Sequence, residues 1–218
     1  MYLKGFVSDI SETFIRLYCF RYIMHGVKRE RIIRILLNQP DGSLTKYKIA
    51  KLADCSTSWV IEYLQVLENK GYTKGTEVKE YEKLLSYWAG IAKKIRYFEF
   101  FLRSPVEFLK NINLDYAITT YQAENLLNHY LFPTRTDVYI QKDDLPLWKE
   151  RITQRGLLGK GNLKLLLYDP HVFYKREKID GLWVVSTPQL LVDLKREGGV
   201  CLEAYEMMVE KHVRRKRD

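Results

Sequence analysis

The chain has 218 residues, 46% hydrophobic and 13% aromatic, enough apolar material for one to two domains with real cores, which excludes wholesale disorder. Its net charge of +9 favours an anionic partner, most simply nucleic acid. Three scattered cysteines (Cys19, Cys55, Cys201) and four scattered histidines (His25, His129, His171, His212) form no zinc, disulfide or other metal pattern and no cofactor motif is visible, while no apolar run approaches the ~18 residues of a membrane span, so a cytoplasmic protein without a membrane partner is expected.

In chain order, Ile10, Phe14, Leu17 and Tyr18 recur at helical spacing and predict a helix over 8–25. Ile32, Ile33, Leu36 and Leu37 predict a second over Glu30–Asn38, stopped by Gln39-Pro40-Asp41-Gly42-Ser43. A short helix over Lys46–Ala53, a tight turn and a helix over Ser56–Lys70 follow, then a glycine stop and a basic, strand-like tail over Tyr72–Lys79. That order reads as a winged helix-turn-helix, which offers the start of its second helix to a DNA groove. Val60, Leu64 and Leu67 form its inner face, with Ile61 in support.

The opposite face is read as Ser56, Thr57, Ser58, Trp59, Glu62 and Tyr63. Hydroxyls and free amides at a helix start reach phosphates or base edges, Tyr63 could donate to a phosphate, and the Trp59 ring fits either a thymine methyl or a seat at the domain seam. Lys46, Lys48 and Lys51 on the first helix, with Lys70, Lys74 and Lys79 around the wing, are candidates for the sugar-phosphate backbone. No arginine lies on the second helix, so the commonest guanine contact is missing.

Tyr81, Leu84, Trp88, Ile91, Ile95, Phe98 and Leu102 are spaced three, four, three, four, three, four. This predicts one long helix over 81–102 with a heptad seam. The seam either joins two copies or lies across its own protein, because Leu85, Phe100 and Phe101 widen it. After Ser104-Pro105 and a boundary near 111–115 the pattern alternates: strand 116–119, helix 121–130, strand 136–141, helix 144–155, a turn over 156–161 and strand 163–168. A hairpin over 171–185 turning at Asp180-Gly181, a helix over 186–196 and a last helix running into the basic tail Arg214–Arg217 complete it. The expected fold class is α/β (α+β), with an N-terminal DNA-binding domain over 1–80, a linker and dimerisation helix over 81–110, and a C-terminal α/β domain over 111–218.

The stretches Tyr116-Ala-Ile-Thr-Thr-Tyr-Gln-Ala123, Asp137-Val-Tyr-Ile140 and Trp183-Val-Val-Ser-Thr-Pro-Gln-Leu-Leu-Val-Asp-Leu194, with Gly198-Gly199 and Glu203-Ala204, give the chain beyond residue 28 a resemblance to AbiEi-type antitoxin regulators. The resemblance implies a DNA-binding N-terminal domain that represses its own operon, and a C-terminal domain that is similar to a degenerate nucleotidyltransferase fold and neutralises a cognate toxin. Active nucleotidyltransferases place a glycine-serine turn near a helix and two carboxylates alternating on a strand to hold magnesium. Here the turn position holds Thr119-Thr120, and Asp137 is followed at the second position by Tyr139, which cannot replace a carboxylate. The expected function is therefore a non-enzymatic, DNA-binding transcriptional regulator, homodimeric, with double-stranded DNA and a possible toxin as partners. The alternatives are a nucleotidyltransferase-like enzyme acting on RNA or nucleotides, and a protein-binding adaptor.

Overall fold

The computed structural model describes residues 26–214; the helix expected over 8–25 and the basic residues 215–217 lie outside them. Among the described residues there are nine α-helices and a seven-stranded mixed sheet, with a helical region at the N-terminal end. No described helix is long and apolar enough to cross a membrane.

The N-terminal region begins with α1, a helix over 26–38. Ile32, Ile33, Ile35, Leu36 and Leu37 are all buried, and so are Glu30 and Arg34. A helix buried on nearly every side must be sandwiched, and α1 lies between the helical region and the sheet. Helices α2 (Lys46–Ala53) and α3 (Thr57–Asn69) follow, each begun by a hydroxyl cap. The Thr45 hydroxyl accepts from the Lys48 amide at 3.2 Å and the Ser56 hydroxyl from the Trp59 amide at 3.3 Å, satisfying donors that a helix start leaves orphaned. Asp54 closes α2 in the left-handed conformation, with φ 54°. A two-residue turn led by Gly75 (φ 59°) then joins β1 (Thr73–Lys74) to β2 (Glu77–Val78), paired antiparallel with Lys74 opposite Glu77.

The long helix expected over 81–102 is not formed. Helix α4 spans Tyr81–Ile91, the chain crosses over at 92–95, and Arg96–Leu102 is a strand, β3. The three-four spacing concealed a period of two: Phe98, Phe100 and Leu102 point inward while Tyr97 and Phe101 are exposed. An aromatic run of that kind suits a pleated surface better than a helix. The expected seam is consequently divided. Leu84 and Trp88 are fully buried in the chain's own core, Tyr81 and Ile91 are half-buried on α4, Ile95 sits in the crossover, and Phe98 and Leu102 belong to the sheet. These residues form no continuous stripe for a second copy.

Helix α5 (Pro105–Asn111) leads into β4 (Tyr116–Thr119), α6 (Thr120–Asn128), β5 (Thr136–Ile140), α7 (Leu145–Thr153), β6 (Gly156–Leu158) and β7 (Leu163–Leu167). A 3-10 turn over Pro170–Phe173, β8 (Glu177–Ile179), β9 (Leu182–Val184), α8 (Thr187–Glu197) and α9 (Val200–Arg214) complete the fold. The sheet order is β6-β3-β7-β5-β4-β9-β8, with β5 parallel to β7, β4 parallel to β9 and the other pairs antiparallel. Strands β4 and β5 are buried at every residue, as a central strand covered on both faces requires. Sequence reasoning missed helix α5, which lies between the Ser104-Pro105 break and the boundary expected at 111–115, and strand β6, which falls inside the turn expected over 156–161. The Asp180-Gly181 hairpin forms as expected, both turn residues at positive φ.

Candidate functional site

Two regions gather the residues singled out from the sequence. The first is the α2–α3 pair with its hairpin. On α3, Val60, Tyr63, Leu64 and Leu67 are the buried residues. Tyr63 therefore faces inward, a correction to its expected place on the outer face. It lies three residues from Val60 and four from Leu67, nearer the centre of the apolar stripe than Ile61 does, and Ile61 is exposed in its stead. The Tyr63 ring meets Trp59 at 5.4 Å and the Arg29 guanidinium at 5.8 Å, and burial pushes its hydroxyl well above the ordinary tyrosine range. Trp59 is half-buried.

The outer surface of α3 presents Ser58, Ile61, Glu62, Gln65, Val66, Glu68 and Asn69. Ser56 is exposed but its hydroxyl is engaged as the helix cap, and Thr57 is half-buried. Lys46, Lys48, Lys51, Lys70 and Lys74 are exposed, and among the described residues none is ion-paired; Lys70 rests over the Tyr87 ring at 5.5 Å. Lys79 is paired with Glu77 at 2.6 Å. Tyr47, exposed between Lys46 and Lys48, belongs to the same surface and was overlooked.

Helix α1 fastens this region to the sheet. Arg31 makes a two-pronged bond to Asp169, at 2.7 and 2.8 Å, and also donates to the Ala53 carbonyl at 3.1 Å and to Asp54 at 3.3 Å. Burial disfavours the Asp169 charge, but Arg31 outweighs it and holds the carboxyl below the usual range. Arg34 is fully buried; it donates to Gln189 at 2.9 Å, meets His171 Nδ1 at 2.9 Å and lies 5.1 Å from the Trp88 ring. Because Arg34 can only donate, His171 Nδ1 accepts, so the ring is neutral. Burial, then the adjacent guanidinium, depresses its pKa from 6.5 to about 3. Glu30 accepts from Trp88 Nε1 at 3.3 Å, from the Lys93 amide at 3.4 Å and from the Tyr168 hydroxyl.

The second region is a cavity of about 330 Å³ whose wall includes the β4–α6 turn, β5, β7 and α8. Thr120, the first residue of α6, has φ 49°, a left-handed conformation that a β-branched residue adopts only at a cost of ~1–3 kcal/mol. Its hydroxyl donates to Asp137 Oδ2. Arg135 clamps the same carboxylate through Nε at 2.8 Å and Nη2 at 3.0 Å, and reaches Glu197 at 2.7 Å. Asp137 thus has both oxygens engaged. Tyr139, two residues on, donates to Asp193 at 2.9 Å, and Asp193 also accepts from Thr119 at 2.7 Å and Gln189 at 2.9 Å. Burial raises the Asp193 carboxyl to about 6, with those three donors opposing the rise. Opposite Asp137 in register on β7 stands Lys164.

The chain matches no protein-family model, no curated protein and no solved structure. Its site must be judged on this geometry. Among the described residues no three of His, Cys, Asp and Glu converge as a metal-binding group. Around Asp137 a divalent ion would meet a carboxylate already neutralised by Arg135, a tyrosine at 139 and an ammonium at 164. Arg135, Lys164 and Asp193 were not among the residues singled out from the sequence. Only the Arg135-x-Asp137 spacing hinted at the clamp, since alternate residues share a strand face.

Proposed function

We propose that the protein is a DNA-binding transcriptional regulator, built as a winged helix-turn-helix (α1–α3 with β1–β2) joined to a non-catalytic α/β domain of degenerate nucleotidyltransferase type. One observation carries the reading. A capped helix pair followed by a hairpin presents Lys46, Lys48 and Lys51 on α2, and Lys74 next to the Gly75 turn that Glu68 in the last turn of α3 holds at 3.3 Å, all exposed and without ion-pair partners among the described residues. The exposed Ser58 near the start of α3 and these unpaired ammoniums on the neighbouring elements suit the phosphates of a duplex. The resemblance to AbiEi-type antitoxins is part of the same proposal, and with it repression of the protein's own operon and pairing with a toxin.

The engaged Asp137, together with Tyr139 and Lys164, supports a domain that does not transfer nucleotides. If two copies bind a palindromic operator, their contact lies away from Leu84 and Trp88, which are spent inside the protomer. A second reading has its own support. The outer face of α3 carries the exposed Ile61 and Val66 beside Glu62 and Glu68 and no cation, a composition that fits a protein partner such as a cognate toxin better than a groove of bases.

Fluorescence anisotropy with duplex DNA from upstream of the gene separates the two. For DNA binding, affinity falls with salt at a log-log slope of about −4 to −5, as four to six phosphate contacts require. The triple change Lys46→Glu, Lys48→Glu and Lys51→Glu then weakens binding and flattens the slope. Unchanged affinity in that variant, or no binding by the wild type at low salt, refutes the DNA reading and leaves the protein-contact one.

A further inference from the structure

Resting on the DNA-binding reading just given, we infer that α2, not α3, grips the duplex, through the sugar-phosphate backbone alone, so that duplexes of different sequence bind nearly alike. The buried residues of α2 are Ile49, Ala50 and Ala53. Tyr47, Lys48 and Lys51 occupy the side away from them. Lys51 stands four residues after Tyr47 and three after Lys48, so the three side chains share one ridge, and all are exposed, Tyr47 by 70%. Asp54, the acid at the end of this helix, is paired with Arg31 at 3.3 Å, so its charge is partly met from behind the ridge.

The ridge complements a phosphate chain. Its two ammoniums take phosphate oxygens, and the Tyr47 ring between them lies on a deoxyribose with its hydroxyl free to donate to a phosphate. The ridge holds no amide and no carboxylate, the groups that pair with base edges.

Helix α3 has the opposite chemistry. Its buried residues are Val60, Tyr63, Leu64 and Leu67. The line farthest from them is Ser58, Glu62, Gln65 and Asn69, spaced four, three and four residues apart and exposed throughout. Gln65 donates to Asn69 at 3.2 Å, so the two amides are turned on each other. Glu62 has no lysine or arginine on its helix to offset it. A glutamate can accept from a cytosine amine, but here it would enter a groove between two rows of phosphates with no cation beside it. Contact is therefore favoured at α2 and opposed along α3. Backbone contacts respond to the width and flexibility of a duplex, so what selection remains follows shape.

The test is fluorescence anisotropy of the full chain over a salt series, with two duplexes of equal length and composition. One comes from upstream of the gene and the other has that sequence scrambled. Their affinities should agree within about threefold, where proteins that read bases separate such duplexes by roughly a thousandfold or more. Lys48→Gln and Lys51→Gln should each reduce the salt slope by about 1 on both duplexes. Tyr47→Ala should weaken both several-fold and leave the slope as it is, because the ring carries no charge. Gln65→Glu, which adds a charge in the middle of the outer line of α3, should change affinity by less than about twofold, whereas a helix seated in the groove would lose about tenfold or more. Melting curves of each variant confirm that it is folded. A preference for the upstream duplex above about tenfold, a tenfold loss in Gln65→Glu, or an unchanged slope in both lysine variants overturns the inference while duplex binding stands. No binding of either duplex at low salt removes the DNA-binding reading itself, and the inference with it.

Discussion

The half-buried His171 and the buried Asp193 should oppose each other as the pH falls, and substituting either one should uncover the other. Folding lowers the His171 pKa from 6.5 to about 3. Between those values the unfolded chain binds a proton that the folded ring refuses, so stability present above pH 6.5 is lost on acidification. Folding raises Asp193 from 3.8 to about 6. In that window the folded chain binds the extra proton, and stability grows as pH falls.

Integrating each between pH 7 and pH 5 gives a loss of about 2 kcal/mol from His171 and a gain of about 1 kcal/mol from Asp193. The wild type should therefore lose less than about 1 kcal/mol across this range. His171→Gln keeps an acceptor for Arg34 but cannot titrate, and should become more stable by about 1 kcal/mol on going from pH 7 to pH 5. Asp193→Asn should lose about 2 kcal/mol over the same interval. Urea unfolding at pH 7, 6 and 5, followed by tryptophan fluorescence and circular dichroism, measures all three profiles. Asp169 does not interfere, because Arg31 keeps it ionised below the usual carboxylate range. Parallel profiles for the three proteins would refute the reasoning, whatever their absolute stabilities.

Three further changes probe the fold. Trp88→Ala removes a fully buried ring that also bonds Glu30 and lies against Arg34; it should cost about 3–5 kcal/mol in denaturant unfolding, and a change of mass in light scattering with no loss of stability would instead restore Trp88 to a subunit contact. Gly161→Ala would drive a Cβ into the backbone of Phe100 and Phe101, costing about 1–3 kcal/mol or more, whereas Gly90→Ala meets nothing within 4 Å on the exposed side of α4 and should be neutral or stabilising by up to about 1 kcal/mol. Equal melting temperatures for the two alanine variants would contradict the packing of the 159–162 turn on β3.

Local chemistry made part of this structure readable in advance. Thr45 and Ser56 announce the starts of α2 and α3, and Asp180-Gly181 announces a hairpin, because each acts on its own neighbours. The β4–α6–β5 succession was legible from alternation and length. What failed was a question of competing periods: the residues from 81 to 102 satisfy a heptad, yet Phe98, Phe100 and Leu102 also satisfy a strand, and partners β6 and β7, over fifty residues away, decide between them. Tyr63 was assigned by its hydroxyl when its position on the helix placed it in the core. The candidate cavity was half legible. Asp137 and Tyr139 stand where expected, but Asp193 and Lys164 arrive from distant elements, and only the folded sheet brings them together.

The buried guanidinium of Arg34 has an evolutionary consequence. Its partners, Gln189 and His171, belong to the sheet half, while the helix that carries it belongs to the other. A recombination event that exchanged the helical region for another module would strand a charge in one half and orphan its acceptors in the other. Such an exchange is closed to this lineage unless matching polar residues travel with the graft. The two halves are inherited together or not at all.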